Sequence, residues 1–315
     1  MKTDIFMTAG FLGSGKTSTL RHVLENLPDA AGAVALVNEA GALGLDGRLL
    51  ERAGIPVHEL RNGCICCSLQ VDFISLLNDL FQSSPPARIL MEASGLADPA
   101  KMIQTLSRFD RFLGLRKTIV LLDAEIWETR EAQGDFFHAQ LNSADLILLS
   151  KTDLYRPDQA KKFALEIEAL FPGIPLYPVI RGRVDPQVFL APPGKFKTVD
   201  EAPDNAALGA YQSFSFESPR AVESEKWLDF IQAEGGRYER VKGQVLLTTG
   251  PAYFDYVRGR YDWKPPLESV SGAQLVFVGR DLDHDALRAK LGRLFGDIQM
   301  FPFEPPGPQA PEQAE

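Results

Sequence analysis

Short runs of apolar residues recur along the first half of the chain, separated by stretches in which apolar residues follow a helical period. Continuous apolar runs are typical of strands buried on both faces, and their alternation with helices is typical of a parallel sheet. The predicted strands are residues 4–9, 33–37, 57–60, 88–92, 118–123 and 145–150, and the predicted helices include residues 16–26, 70–81 and 158–171. The pattern therefore predicts an α/β fold with a mostly parallel sheet between helices.

The pattern changes after about residue 190. Residues 191–207 carry three prolines among charged residues, which predicts a linker. Beyond the linker, predicted strands at 212–216, 240–249 and 274–278 mix with predicted helices at 224–233 and 283–295. We therefore predict an N-terminal domain at residues 1–190, a linker at 191–207, a smaller C-terminal α+β domain at 208–301 and a disordered proline-rich tail at 302–315.

Charge and hydropathy exclude several classes of protein. The formal net charge is −9, so the chain lacks the basic face of a nucleic-acid binder and the polybasic patch that anionic membranes attract. No apolar run approaches the roughly 20 residues that a spanning helix needs. The apolar stretch at residues 5–9 is too short for a signal peptide. We therefore predict a cytoplasmic protein that binds neither nucleic acid nor membrane.

Residues 10–17 read GFLGSGKT and match the phosphate-binding motif G-x-x-x-x-G-K-[ST]. Glycines let several backbone N–H groups point at one phosphate, the lysine reaches the β- and γ-phosphates, and the threonine hydroxyl binds Mg²⁺. A glycine-rich turn can match by chance, but this segment follows an apolar strand and opens a helix, as the motif requires. The predicted nucleotide-binding residues here are Gly10, Gly13, Ser14, Gly15, Lys16, Thr17 and Ser18.

Two acidic residues end predicted strands and are candidates for holding Mg²⁺ beside the phosphates. Glu92 begins an E-x-x-G segment with Gly95, the spacing of GTPase switches in which the glycine N–H meets the γ-phosphate. Asp123 ends the strand at 118–123, where a helix cap is the alternative interpretation. We favour Glu92 as the magnesium and switch acid, together with Lys16 as the charge that assists hydrolysis.

Residues 150–153 read SKTD and follow another apolar strand. GTPases place [N/T/S]-K-x-D at this point of the fold. The carboxylate of Asp153 can accept two hydrogen bonds from the guanine edge, and the stem of Lys151 can lie over the ring. Adenine offers no such pair of donors, so the predicted nucleotide is GTP, although a charged surface turn can also produce K-x-D.

All three cysteines, Cys64, Cys66 and Cys67, fall within four residues. Such clustering does not suit a disulfide framework, which uses scattered cysteines in even number. Thiolates are soft ligands for Zn²⁺, Cu⁺ or Co²⁺, so we predict a transition-metal site whose fourth ligand is not identified. A redox pair and small buried core residues are the alternatives.

These motifs together resemble the CobW-like family of P-loop GTPases, which is related to the nickel-insertion GTPases of urease and hydrogenase maturation. The resemblance rests on the segments GFLGSGKT, NEAG, GCICC, EASG with Asp98-Pro99 after it, and SKTD, and more loosely on RVKG and VFVG in the second half. It implies a P-loop NTPase fold with a C-terminal domain of CobW type, slow GTP hydrolysis, and delivery of zinc or cobalt to a client metalloprotein. It also implies that Glu39 lies in the loop that responds to the nucleotide.

The chain departs from the family pattern on both sides of Glu39. Members usually read N-E-F-G-E, whereas this chain has Ala40 and Ala42, and Val37 stands where some relatives carry another glutamate. These differences, with the absence of a histidine-rich tract, leave the identity of the metal open.

Our leading hypothesis is a switch in which Mg·GTP orders the loops around Glu39 and Glu92 and thereby assembles the cysteine site, while hydrolysis releases the metal. The client would bind through the C-terminal domain, and a homo-oligomer is compatible with the sequence. One alternative is a metal-binding or sensing module with incidental GTP turnover. Another is a P-loop kinase for a small molecule, which the K-x-D motif disfavours.

Overall fold

The computed structural model describes residues 2–27, 32–38, 56–60, 80–81, 85–95, 97–130, 135–191, 211–234, 236–266, 272–280, 282–296 and 298–303. They fall into two compact units, one with the described residues up to 191 and one with those from 211 onward. No helix within these ranges is long and apolar enough to cross a membrane. Of the predicted helix at 70–81, only residues 80 and 81 are described, and both are helical.

The first unit contains a seven-stranded sheet in the order β3-β2-β4-β1-β5-β6-β7, and all neighbouring strands are parallel. The strands are β1 (Thr3–Ala9), β2 (Ala33–Asn38), β3 (Val57–Leu60), β4 (Arg88–Glu92), β5 (Leu113–Asp123), β6 (Leu146–Ser150) and β7 (Leu176–Val179). The helices are α1 (Lys16–Glu25), α2 (Pro99–Ser107), α3 (Ala124–Glu128), α4 (Asp135–Asn142), α5 (Pro157–Leu170) and α6 (Pro186–Leu190). The predicted parallel α/β fold is thus confirmed.

Burial explains why these strands read as continuous apolar runs. Every residue of β6 is buried, and β4 is buried from its second residue to its last. A strand covered on both faces has no side that favours polar residues. One face of the sheet packs against α1 and α6 through residues that include Leu20, Leu121 and Phe189. This packing holds α1, the helix that follows the phosphate-binding motif, on the sheet.

The second unit contains a six-stranded antiparallel sheet in the order β11-β10-β9-β12-β8-β13. The strands are β8 (Tyr211–Ser218), β9 (Tyr238–Leu247), β10 (Gly250–Val257), β11 (Arg260–Lys264), β12 (Ala273–Arg280) and β13 (Gln299–Phe303). The helices are α7 (Ser224–Ala233) and α8 (His284–Phe295). An aromatic core holds Trp227 of α7 against Phe254, Phe277 and Phe295, with ring centroids 5.3 to 6.4 Å apart. The predicted α+β class of this unit is confirmed.

The predicted disordered tail at 302–315 is wrong at its start, because Pro302 and Phe303 belong to β13 and pair with β8. Proline is tolerated there because β13 is an edge strand, in which only alternate residues need their N–H groups for pairing with the single neighbouring strand. Residues 304–315 lie outside the described part of the chain. So does the predicted linker apart from Ala191, and the domain boundaries at 190 and 208 stay predictions.

A charged network crosses the face of this sheet that is opposite to Phe254. Asp255 lies 2.5 Å from the ammonium of Lys264 and 3.6 Å from the guanidinium of Arg240. Burial alone would raise the pKa of Asp255, but the charges of Arg240 and Lys264 outweigh it, and the net pKa lies below its ordinary value. The carboxylate therefore stabilises the folded unit in its ionised form.

Replacing Asp255 by asparagine is expected to lower the free energy of unfolding at pH 7 by about 2 kcal/mol, because two partly buried cations lose their counter-charge. A carboxylate with a lowered folded pKa stabilises the native state above its unfolded pKa, and this contribution is lost as the pH falls through the folded pKa. The difference between wild type and variant should therefore shrink as the pH falls below the ordinary value of 3.8. Urea unfolding of the full chain, followed by tryptophan fluorescence, measures it.

Asp262 provides the matched control for this substitution. It lies directly opposite Asp255 on β11 and is exposed. Its replacement by asparagine should change the free energy of unfolding by less than about 0.5 kcal/mol. Equal losses from the two variants would contradict a stabilising role for the ion pairs of Asp255.

Candidate nucleotide site

The phosphate-binding motif forms the turn between β1 and α1. Gly10, Gly13 and Gly15 have φ angles of 135°, 73° and 95°, which residues other than glycine seldom adopt. The buried ammonium of Lys16 donates hydrogen bonds to the carbonyl oxygens of Gly10 at 2.9 Å and Phe11 at 3.1 Å. The loop therefore curls around the lysine ammonium at the positive end of a helix, an arrangement suited to a phosphate.

Polar atoms around this loop fit a phosphate and a magnesium ion. The hydroxyls of Ser14 and Thr8 are buried and meet no hydrogen-bond partner among the described residues. A buried hydroxyl without a partner costs roughly 1 to 3 kcal/mol, and a bound phosphate or hydrated metal ion would remove that cost. Ser18, at the exposed side of the first turn of α1, completes the predicted set.

The predicted switch acid lies next to the predicted magnesium hydroxyl. Glu92 ends β4, which pairs in parallel with β1, so that Glu92 lies opposite Thr8. Its Oε1 accepts a hydrogen bond from the Thr17 hydroxyl at 2.9 Å, and the residue is only 3% exposed. One buried carboxylate and one hydroxyl therefore face the same point, as a magnesium site requires.

The switch glycine lies against the phosphate loop. A Cβ atom placed on Gly95 would lie 2.7 Å from Leu12 Cδ2 and 2.9 Å from the Leu12 backbone nitrogen. Only glycine allows the two backbones to come this close. Asp98 then caps α2 by accepting a hydrogen bond from the Ala100 nitrogen at 2.9 Å. Glu92 and Gly95 are thus held by the phosphate loop, and Asp98 is held as the cap of α2.

The predicted guanine motif reaches the phosphate loop through its first residue. The Ser150 hydroxyl donates a hydrogen bond to the Ser14 carbonyl at 2.7 Å, although the two residues are 136 positions apart. Lys151 follows with a positive φ of 59°, and Asp153 is exposed in a 3₁₀ turn that spans Thr152–Leu154. The motif therefore presents the exposed Asp153 carboxylate close in sequence to a serine that touches the phosphate loop.

Asp123 caps α3, in agreement with the helix-cap interpretation. Its Oδ1 accepts a hydrogen bond from the Glu125 nitrogen at 2.9 Å. Its Oδ2 lies 2.6 Å from the Lys151 ammonium. Both carboxylate oxygens are thus engaged away from Thr17, whereas Glu92 contacts Thr17 directly.

A further part of the site, the turn after β7, was not predicted from the sequence. A Cβ atom on Gly182 would lie 2.7 Å from the Ser18 carbonyl carbon and 2.9 Å from the Thr19 nitrogen, so this turn rests on the first turn of α1. The flanking Arg181 and Arg183 are exposed. No local sequence motif indicates that this turn belongs to the site. Only its position after the last parallel strand does so, because ligands bind at the carboxyl ends of such strands.

The predicted metal ligands Cys64, Cys66 and Cys67 and the predicted loop residue Glu39 lie outside the described residues. Within the described part of the chain, no cluster of three or more histidine, cysteine, aspartate or glutamate side chains is arranged to hold a metal ion. The transition-metal site therefore stays a prediction from the sequence.

Comparison with known proteins assigns both units to families. Residues 4–178 match the nucleotide-binding domain of CobW/HypB/UreG, and residues 211–295 match the C-terminal domain of the cobalamin synthesis protein CobW. The first match covers more than half of the chain and contains the phosphate-binding motif, the predicted switch acid and the predicted guanine motif.

Individual relatives carry zinc in their names. The chain is 34% identical to the zinc chaperone YeiR of Escherichia coli over 155 residues and 33% identical to the zinc chaperone YjiA of the same organism over 190 residues. These alignments cover 48% and 58% of the chain, and the chain spans about half the length of these relatives, 47% and 58%. The zinc chaperone CobW of Pseudomonas aeruginosa is 26% identical, with 92% of this chain and 91% of that protein aligned.

Among solved structures, Zn(II)-bound YjiA GTPase from E. coli aligns with a TM-score of 0.47 and 21% identity, covering 93% of this chain and 99% of that one. The family assignment itself rests on the two family matches, one to each unit of the chain. The chain is a member of the CobW/HypB/UreG family, with a nucleotide-binding domain followed by a CobW C-terminal domain.

Proposed function

We propose that the chain is a GTPase that couples GTP binding and hydrolysis to the binding of a divalent transition metal, zinc or cobalt, and to its delivery to a client metalloprotein. One observation carries the proposal: the predicted switch segment, residues 92–95, contacts the phosphate loop. Glu92 accepts a hydrogen bond from Thr17, and the backbone of Gly95 packs closely against Leu12. A change in the nucleotide bound at the phosphate loop would therefore alter the position of the switch segment.

Phosphate binding would fall to the N–H groups of residues 10–17 and to the Lys16 ammonium, which exchanges its loop carbonyl partners for phosphate oxygens. Thr17 and Glu92 would hold Mg²⁺, directly or through water. When bound there, Mg²⁺ would neutralise the negative charge that develops on the phosphates in hydrolysis. The chain itself would supply mainly positioning and electrostatic stabilisation, and the proposed turnover is slow.

Guanine recognition would come from Asp153, whose exposed carboxylate can accept two hydrogen bonds from the base. Ser150 replaces the commoner asparagine of this motif and keeps a contact with the phosphate loop through its hydroxyl. The proposed substrate is therefore GTP rather than ATP, which disfavours the alternative of a small-molecule kinase.

Sheet register supports a route from the nucleotide to the cysteines. In β2, Val37 pairs with Glu92 of β4 on one side and with Glu59 of β3 on the other. Since neighbouring strands lie about 4.8 Å apart, the end of β3 is about 10 Å from the switch acid. Cys64 follows Leu60, the last residue of β3, by four positions in the sequence. The phosphate loop follows the carboxyl end of β1, and the sequence that leads to the cysteines follows the carboxyl end of β3, which lies on the same side of this parallel sheet.

The relatives' names support zinc as the first metal to test, and the second unit, which matches the CobW C-terminal domain, is proposed to select the client. If metal delivery is wrong, the chain is a binding or sensing module whose turnover does not respond to metal. GTP hydrolysis that stays unchanged when zinc and client are added would favour that alternative.

Replacing Cys66 by serine is expected to reduce zinc content after purification in Mg²⁺ and GTP from about one ion per chain to near background, because a soft ligand is replaced by a weakly binding hydroxyl. Elemental analysis measures the metal, and fluorescent GTP measures nucleotide affinity in the absence of zinc, which should stay within about twofold of the wild type. Undiminished zinc in the variant would assign the cysteines a structural role.

A further inference from the structure

Lys151 is held in an uncommon backbone conformation beside a buried carboxylate. Its φ of 59° and ψ of 25° lie in the left-handed region, which residues other than glycine seldom adopt. The side chain of Asp123 is 0% exposed, and its Oδ2 lies 2.6 Å from the Lys151 ammonium. Because its other oxygen caps α3, the carboxylate is itself fixed, and an ion pair with a fixed group can hold a strained neighbour in place.

The far end of the same turn is also tied to α3. The Tyr155 hydroxyl donates a hydrogen bond to Glu128 Oε2 at 2.8 Å. Burial and the bond to Glu128 raise the pKa of Tyr155 above its ordinary value, so the phenol stays protonated as a donor. Residues 151–155 are therefore attached to one short helix at both ends, with Asp153 between the two attachments.

We propose that Asp123 is a positioning residue for guanine selectivity: it anchors Lys151 in its left-handed conformation and thereby aims the Asp153 carboxylate at the base. The inference rests on the proposed GTP function. The direction in which the chain leaves Lys151 determines where a side chain two residues later points. Asp123 itself need not touch the nucleotide.

This role predicts an effect that depends on the base. Guanine offers two N–H donors to one carboxylate, and both bonds need a carboxylate in the correct orientation. Adenine offers no such pair to Asp153, so its binding does not use that orientation. Loss of the anchor should therefore weaken guanine nucleotides and leave adenine nucleotides nearly unchanged.

The experiment compares Mg²⁺-dependent affinities for fluorescent GDP and ADP in the full chain. Asp123→Asn keeps an oxygen to cap α3 but loses the charge that pairs with Lys151. Lys151→Met keeps an apolar stem over the base but loses the ammonium, and it alters a side chain that is 25% exposed, so folding is less at risk. Each variant should weaken GDP about tenfold and ADP by less than about twofold, and the double variant should be no weaker than Lys151→Met.

Asp283→Asn is the matched control, because Asp283 caps a helix of the second unit in the same way, through the Ala286 nitrogen at 2.9 Å. It should leave both affinities unchanged. Equal loss of GDP and ADP affinity in Asp123→Asn, or additive effects in the double variant, would overturn the inference. A wild type that binds GDP and ADP equally would instead overturn the proposed GTP function on which the inference rests.

Discussion

Replacing Gly95 by alanine is expected to slow GTP hydrolysis about 100-fold, because the new methyl group cannot share space with the phosphate loop. The added Cβ would lie 2.7 Å from Leu12 Cδ2 and 3.0 Å from Leu12 Cα. The phosphate loop is continuous with β1 and α1 and is also bonded by Ser150, so the switch segment should move more than the loop. GDP affinity should therefore fall far less than turnover, by about threefold.

The control for this substitution is Gly114→Ala in β5. A Cβ atom there would meet its nearest neighbour at 3.8 Å, an ordinary contact distance, so the same chemical change introduces no clash. Single-turnover hydrolysis and fluorescent-GDP binding, measured side by side, separate positioning from affinity. If Gly95→Ala hydrolyses GTP as fast as Gly114→Ala, the switch segment does not act where the structure places it.

Replacing Glu92 by glutamine is expected to reduce hydrolysis at saturating Mg²⁺ by roughly 100- to 1,000-fold, the range found when one electrostatic group at a reacting phosphate or carbonyl is removed. The amide keeps the size of the carboxylate and can still accept the hydrogen bond from the Thr17 hydroxyl. It lacks the charge that draws Mg²⁺ to this point. Nucleotide affinity measured without Mg²⁺ should change by less than about threefold.

Stability distinguishes this loss of function from misfolding. Glu92 is only 3% exposed, but glutamine has nearly the same volume and can keep the hydrogen bond from the Thr17 hydroxyl. The thermal midpoint of Glu92→Gln without nucleotide should therefore stay within about 5 °C of the wild type. Glu25→Gln, at the exposed end of α1, is the control and should leave hydrolysis unchanged. Full activity of Glu92→Gln at saturating Mg²⁺ would remove Glu92 from the magnesium site.

The parts of the site that the sequence predicted are those written within one local segment. The phosphate loop needs closely spaced glycines and a lysine between a strand and a helix, and the glycines and the lysine all lie within residues 10–17. The apolar strands were predictable for a similar reason, since a parallel sheet buried on both faces leaves few polar positions within its strands.

Contacts between distant segments could not be predicted in this way. The hydrogen bond from Ser150 to the Ser14 carbonyl joins residues 136 positions apart, and neither residue type announces its partner. The ion pair between Asp123 and Lys151 likewise depends on β5 and β6 being neighbours in the sheet. A cap was predictable from Asp123 alone, but its second bond was not.

The hairpin of β10 and β11 was missed for a chemical reason. Its turn is formed by Arg258 and Gly259, both with positive φ, 44° and 86°. The sequence signal for such turns is usually Asn-Gly or Asp-Gly, and arginine at the first position is not typical of them. The predicted disordered tail is wrong at Pro302 for a related reason, because proline is typical of disordered segments but also occurs in edge strands such as β13.

Control of the predicted thiolate metal site by GTP can be measured as the zinc affinity of the chain against a competing chelator. The full chain would be compared with Mg²⁺ and a non-hydrolysable GTP analogue, and with Mg²⁺ and GDP. We expect zinc to bind at least about tenfold more tightly with the GTP analogue than with GDP. Because coupling is reciprocal, zinc should raise the preference of the chain for the analogue over GDP by the same factor. Equal zinc affinity in the two nucleotide states would contradict it.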